Sequence, residues 1–287
     1  MDTAAFAARL PGCFPGGDPY ADTPLDRRFA KVVETVDGMS TEHTLTLLNL
    51  AASMLPAGES YLEVGSYRGR SVVGAALGNP ERAFTAIENF REFGLDPAES
   101  EHMLRVALTD WDVADQVRLL RGDAFRLIGN GLPEPVGVYF YDGAHSRLAQ
   151  HLGLGLAEPV LADEALVVVD DATWPQVARS TARYVARHPG YRPLFDLRAD
   201  RPEDPRWCNG VKVFARGPDN AAYVKDVGGD PGAGVWQSLG GAVTSNLTPA
   251  VAVRRLAANA SSIRRGPLRR RARAGFNCMA SRTFSVT

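Results

Sequence analysis

Residues 61–71 read YLEVGSYRGRS, and this stretch decides the fold. Tyr61-Leu62-Glu63-Val64 fits the end of a strand. Gly65 and Gly69, four apart, permit a tight turn and a close approach of backbone to a ligand. Ser71 then falls in the first turn of a helix, where free N–H groups and a hydroxyl meet polar ligand atoms. The spacing is E-x-G-x-x-x-G-x-S, not the G-x-G-x-x-G of dinucleotide-binding turns. A strand–helix turn with no ligand would use the same glycines. Further on, Ala86-Ile87-Glu88 ends a second apolar run about twenty residues past the turn, the distance at which a carboxylate accepts both ribose hydroxyls. Asp123, in Arg121-Gly122-Asp123-Ala124, either accepts from an adenine amino group or caps the helix that starts there.

Working outward, short apolar runs recur at 60–64, 83–87, 116–120, 136–141 and 165–169, each followed by a segment of helical character. Such alternation predicts a parallel sheet with helices on both faces. A helix is expected over about 174–188. Strands follow at 191–197 and 211–216, joined by ADRPEDPRWCNG, where no helix fits, so this last pair is expected to be antiparallel. The fold class is α/β: a doubly wound, mostly parallel, seven-stranded Rossmann-like sheet with an antiparallel C-terminal hairpin. Residues 1–24 are expected as an irregular arm, rich in Pro and Gly. Helices are expected over Leu25–Val36 and from a cap at Ser40 or Thr41 to about Leu55. The divisions are an N-terminal arm and helical cap at 1–58, a ligand-binding domain at 59–217, and a Gly-rich then Arg-rich extension at 218–287. In that extension 248–259 has helical character, and disorder suits the rest.

Asp142 ends the fourth apolar run (VGVYFYD), and Asp170-Asp171 end the fifth (ALVVVDD). In a doubly wound sheet, ligands sit beyond the carboxyl ends of the strands, so these acids should converge. Like charges in one place raise one another's pKa, and a divalent cation removes that repulsion. Oxygen ligands without Cys favour Mg²⁺, or Mn²⁺, over Zn²⁺. Helix capping by Asp142 or Asp171 is the plainer alternative. His145 lies three residues past Asp142, at the same edge, and an imidazole accepts protons near neutral pH.

Five parallel strands followed by an antiparallel pair is the plan of class I methyltransferases dependent on S-adenosylmethionine. Glu63-Val64-Gly65-Ser66-Tyr67-Arg68-Gly69-Arg70-Ser71 resembles the first motif of cation-dependent O-methyltransferases, both the catechol type and the metal-dependent sugar O-methyltransferases of macrolide biosynthesis. The resemblance covers roughly residues 40–216. It implies that the Gly turn holds the amino acid end of S-adenosylmethionine, with Tyr67 and Ser71 on the methionine moiety and Glu88 on the ribose. It implies a cofactor set of Glu63, Gly65, Tyr67, Gly69, Ser71, Glu88, Asp123 and Asp142, and metal ligands Asp142, Asp170 and Asp171. The sugar-modifying relatives carry an acid where Asp171 stands and a His base at the D-x-x-H position, which makes His145 the expected base. The implied activity is transfer of a methyl group to a hydroxyl of a small molecule, a sugar or natural-product intermediate. Trp174, just past Asp171, either walls the acceptor pocket or packs in the core. The N-terminal arm and the 198–210 loop are candidate lids.

The 287 residues are 45% apolar and 23% charged, ordinary for a soluble globular protein. Cys13, Cys208 and Cys278 are scattered, which suits a reducing cytoplasm. Neither a secretory leader nor a membrane span is expected. Net charge is −1, yet residues 251–287 hold nine Arg and no acid, so the first 250 are acidic on balance by ten. An Arg-rich tail such as Arg254-Arg255 and Arg269-Arg270-Arg271 suits phosphates, but the acidic body weighs against a nucleic-acid partner. The helices at 25–55 are candidate elements for homo-oligomer contacts. Two rival readings are an NAD-dependent oxidoreductase, which needs G-x-G-x-x-G and no acid cluster, and a metal-independent methyltransferase in which the acids only cap.

Overall fold

Side chains alternate along each central strand, and that period of two builds two cores on one sheet. The structure, a computed structural model, describes residues 1–91, 96–128, 132 and 134–218. Strands β1 (Ser60–Val64), β2 (Ala83–Glu88), β3 (Val117–Arg121), β4 (Val136–Tyr141), β5 (Leu161–Val169), β6 (Tyr191–Leu197) and β7 (Val211–Arg216) form one sheet in the order β3-β2-β1-β4-β5-β7-β6. The first five are parallel. β7 runs antiparallel between β5 and β6. This is the expected doubly wound sheet with its hairpin. β5 begins earlier than expected, at Leu161, because Leu161 already pairs with Val136 before a register shift.

One face carries Tyr61, Phe84, Val138, Phe140 and Val168, covered by α2 (Arg28–Thr35), α3 (Glu42–Ser53) and α4 (Arg70–Ala76). The other carries Leu62, Val64, Ile87, Tyr139, Tyr141 and Val169 against α7 (Arg147–Ala157) and α8 (Pro175–Val185). Thr41 caps α3, its hydroxyl accepting from Thr44 N–H at 3.2 Å. Asp96 caps α5 (Pro97–Asp110), which has Pro at its first position.

Residues 1–24 depart from the expected irregular arm. They form α1 (Thr3–Arg9) and two 3₁₀ turns, Leu10–Cys13 and Pro15–Gly17, and Phe6, Leu10 and Phe14 are buried in the first core. Short turns give no long periodic face, yet three large apolar side chains at four-residue spacing still bury themselves. Phe14 stacks on His43 with ring centres 5.2 Å apart and meets Trp207 at 6.0 Å. The Trp207 indole N–H donates to Pro19 O at 3.0 Å. The N-terminal segment thereby clamps the β6–β7 connection. Cys13 and Cys208 form no disulfide among the described residues. Cys278, the helix expected at 248–259 and all of the extension past residue 218 lie outside the described residues. Among the described residues no helix is long and apolar enough to cross a membrane.

Candidate active site

The sheet register sets the site. Val64 of β1, Tyr141 of β4 and Val169 of β5 lie side by side. The ladder runs one residue further: Asp142 N–H donates to Val64 O at 2.9 Å and Asp170 N–H to Tyr141 O at 3.1 Å. Gly65, Asp142 and Asp170 therefore leave the sheet along one line. That line sits where the strand order reverses, between β1 and β4, the usual ligand crevice of such sheets.

The turn after β1 is held by the protein's own backbone. Gly65 has φ +93°, and a Cβ there would stand 1.9 Å from Asp142 O. The close approach that demands glycine at 65 is made by the end of β4. Gly69, at φ +98°, starts α4 against Leu104, 3.2 Å from where its Cβ would be. Two residues of the expected cofactor set bond each other beneath the turn. Glu63 is fully buried, accepting from Ser71 Oγ at 2.8 Å and from Tyr61 OH at 2.9 Å. Burial pushes its carboxyl up to about 7, against the hydroxyls of Ser66, Ser71 and Tyr61, which favour the charged form. Glu63 and Ser71 thus brace the turn from beneath. Tyr61 was legible as the partner, since strand period puts residues 61 and 63 on one face.

Glu88 reaches back to the same turn. Its Oε2 accepts from Tyr67 N–H at 2.8 Å, and its Oε1 from Asn89 N–H at 2.6 Å and Phe90 N–H at 2.8 Å. Tyr67 sits at φ +48°, with the Arg68 guanidinium 5.2 Å from its ring centre. A carboxylate offers about four acceptor sites, so three backbone donors leave one lone pair on Glu88 Oε2, which fits a ribose hydroxyl. Asp123 does cap its helix, α6 (Ala124–Leu127), through Oδ1 to Phe125 N–H at 3.0 Å. Its other oxygen, half-exposed, lies 3.9 Å from Arg126 Nε.

The acids gather at the neighbouring strand tips. Asp142, His145 and Asp171 each offer a ligand atom within 4.8 Å of the others. Asp170 is not in that trio but stands against it. Burial, then the charges of Asp170 and Asp171, hold the Asp142 carboxyl well above the usual carboxylate range. Burial and then Asp171 do the same to Asp170. Repelling oxygen donors of this kind fit a hard dication. His145 Nε2 lies 3.0 Å from Asp171 Oδ2, and its ring meets Trp174 edge-on at 4.9 Å between centres. Asp171 itself has φ +52°, uncommon for a residue with a Cβ. On its far side Asn209 Nδ2 donates to Oδ1 at 2.8 Å. Nothing in the sequence pattern singled out Asn209, because it lies in a loop that bears on Asp171 only through tertiary folding.

Residues 62–172 match the family model described as "Methyltransferase domain". Among curated proteins the chain is 27% identical over 191 residues to a tRNA (guanine-N(7)-)-methyltransferase of Nitrosococcus oceani, covering 63% of this chain and 75% of that protein. Among solved structures it is similar to the O-methyltransferase TomG of Streptomyces achromogenes, involved in tomaymycin synthesis, in complex with S-adenosylmethionine. That match has 17% identity and a TM-score of 0.52, and covers 68% of this chain and 92% of that one. It is also similar to an O-methyltransferase of Bacillus cereus in complex with S-adenosylhomocysteine, at 14% identity and TM-score 0.50, with the same coverage of 68% and 92%. The sheet order and the match of residues 62–172 to a methyltransferase domain agree: this part of the chain has the fold of class I S-adenosylmethionine-dependent methyltransferases. Within that class, the likeness of its fold is to O-methyltransferases.

Proposed function

We propose that the protein transfers a methyl group from S-adenosylmethionine to a hydroxyl of a small molecule, a sugar or natural-product intermediate, with the help of Mg²⁺ or Mn²⁺. The observation that carries this reading is the convergence of Asp142, His145 and Asp171 within 4.8 Å, beside a Gly65 turn packed on Asp142 itself. Asp142 and Asp171, with Asp170 adjoining, would hold the dication, and the Gly65–Gly69 turn with Glu88 would hold the cofactor. A bound dication orients acceptor oxygens and lowers the pKa of a coordinated hydroxyl. The protein's remaining task is alignment, since the sulfonium methyl is already activated. His145 takes the hydroxyl proton. Nε2 is engaged with Asp171 Oδ2 at 3.0 Å, which leaves Nδ1 as the nitrogen for that proton. Trp174 packs on that imidazole and borders the acceptor. The acidic balance of the first 250 residues favours a small acceptor over RNA.

The test is an acceptor screen over sugar and phenolic hydroxyls with S-adenosylmethionine, with and without chelator. Turnover should vanish with chelator and return with Mg²⁺ or Mn²⁺. His145→Ala should lose about 10²–10⁴-fold in kcat while binding S-adenosylhomocysteine normally. Chelator-resistant turnover would remove the metal, and a fully active alanine variant would remove the base.

A further inference from the structure

Asp171 is held from two sides, and the second side belongs to no motif. Its backbone adopts φ +52°, a conformation that persists only when surrounding structure enforces it. The enforcing structure is the end of the β6–β7 connection. Ala172 N–H donates to Gly210 O at 2.8 Å and Thr173 N–H to Asn209 O at 2.9 Å. The Thr173 hydroxyl also bonds to Asn209 O. Asn209 then turns its side chain onto the acid, Nδ2 to Asp171 Oδ1 at 2.8 Å, while its own Oδ1 accepts from Glu203 N–H at 3.4 Å. The chemistry fixes this amide: an ionised carboxylate only accepts and a backbone N–H only donates. Asn is the residue that satisfies both. An Asp at 209 would set a second charge against Asp171.

We infer that Asn209 is a positioning residue for the acid cluster: its bond to Oδ1 fixes the rotation of the Asp171 carboxylate, and with it the direction in which Oδ2, the oxygen that meets His145, faces. The inference rests on the proposed metal-dependent reading. Partners one bond removed from metal ligands typically alter metal affinity 10–100-fold when removed. The loop carrying Asn209 is anchored separately, through the buried Trp207 and its bond to Pro19 O. A direct effect of the amide can therefore be told from general loosening of the loop.

The experiment is calorimetric titration of Mn²⁺ into the full-length protein saturated with S-adenosylhomocysteine, for wild type, Asn209→Ala and Trp207→Phe. Asn209→Ala should weaken Mn²⁺ binding about 10-fold or more, with S-adenosylhomocysteine affinity within about twofold of wild type. Trp207→Phe, which loosens the anchor and keeps the amide, should hold Mn²⁺ affinity within about threefold. Should the alanine variant fail to fold, Asn209→Gln, which displaces the amide by one methylene, replaces it with the same expected direction. Mn²⁺ affinity unchanged in the Asn209 variant, or lost equally in Trp207→Phe, would overturn the inference while the metal reading stands. A wild-type protein that binds no Mn²⁺ would overturn both.

Discussion

At the scale of single residues, strand tips are where the sequence speaks most plainly. Asp142 and Asp170 could be placed because each follows an apolar run, and the register then aligns them on one line with Gly65. His145 and Asp171 come along as near neighbours in the chain. What the pattern could not reveal was direction. Glu63 and Ser71 share the glycine motif, yet they turn beneath the backbone towards each other, and Asn209 arrives from a loop 38 residues past Asp171. Gly65 carries the sharpest test at this scale. Gly65→Ala places a methyl 1.9 Å from Asp142 O at φ +93°, a backbone clash that no side-chain movement relieves. We expect a loss of more than about 4 kcal/mol, the exceptional end for one substitution, read by urea unfolding. Gly58, at φ +83° with open space around it, is the control, and its alanine variant should lose far less.

At the scale of elements, strand and helix periods were readable because each long element buries one clear face. The seven strands fall where apolar runs predict them, and α3 starts at its Thr41 cap. The N-terminal segment was not readable. α1 is seven residues long and is followed by turns rich in Pro and Gly, so no window held enough repeats to show a face. Its burial is decided by tertiary contacts: Phe14 against His43 and Trp207, and Tyr20 against Arg206, whose guanidinium lies 5.6 Å from the ring centre. Phe14→Ala should cost about 3–5 kcal/mol, as for a buried aromatic. Because Phe14 packs on Trp207, the same variant should speed amide hydrogen exchange at Asp204 and Cys208, which bridge the loop, before it affects β1–β5. Uniform acceleration across the sheet would show that the segment does not act as a clamp on this loop.

At the scale of the whole molecule, the order β3-β2-β1-β4-β5 brings four acids, Glu63, Glu88, Asp142 and Asp170, to one end of the sheet. The carboxyls of Glu63, Asp142 and Asp170 are all raised, chiefly by burial. An acid with a raised folded pKa contributes stability that is complete below its unfolded pKa and fades as pH climbs through the folded value. Without divalent cation, stability should therefore fall as pH rises from about 4.5 through about 7, the value for Glu63, and beyond. Saturating Mg²⁺ should lift the high-pH side and flatten the slope, since charge on Asp142 and Asp170 is then compensated. Urea unfolding at pH 5 to 8, with and without Mg²⁺, checks this, and parallel curves would contradict it. The central claim is that a dication sits among these strand tips beside the methyl donor. Its most direct test is anomalous diffraction from a crystal grown with Mn²⁺ and S-adenosylhomocysteine. A manganese peak is expected in coordination contact with the Asp142 and Asp171 carboxylates, next to the cofactor sulfur. Ordered cofactor with no manganese peak there would contradict it.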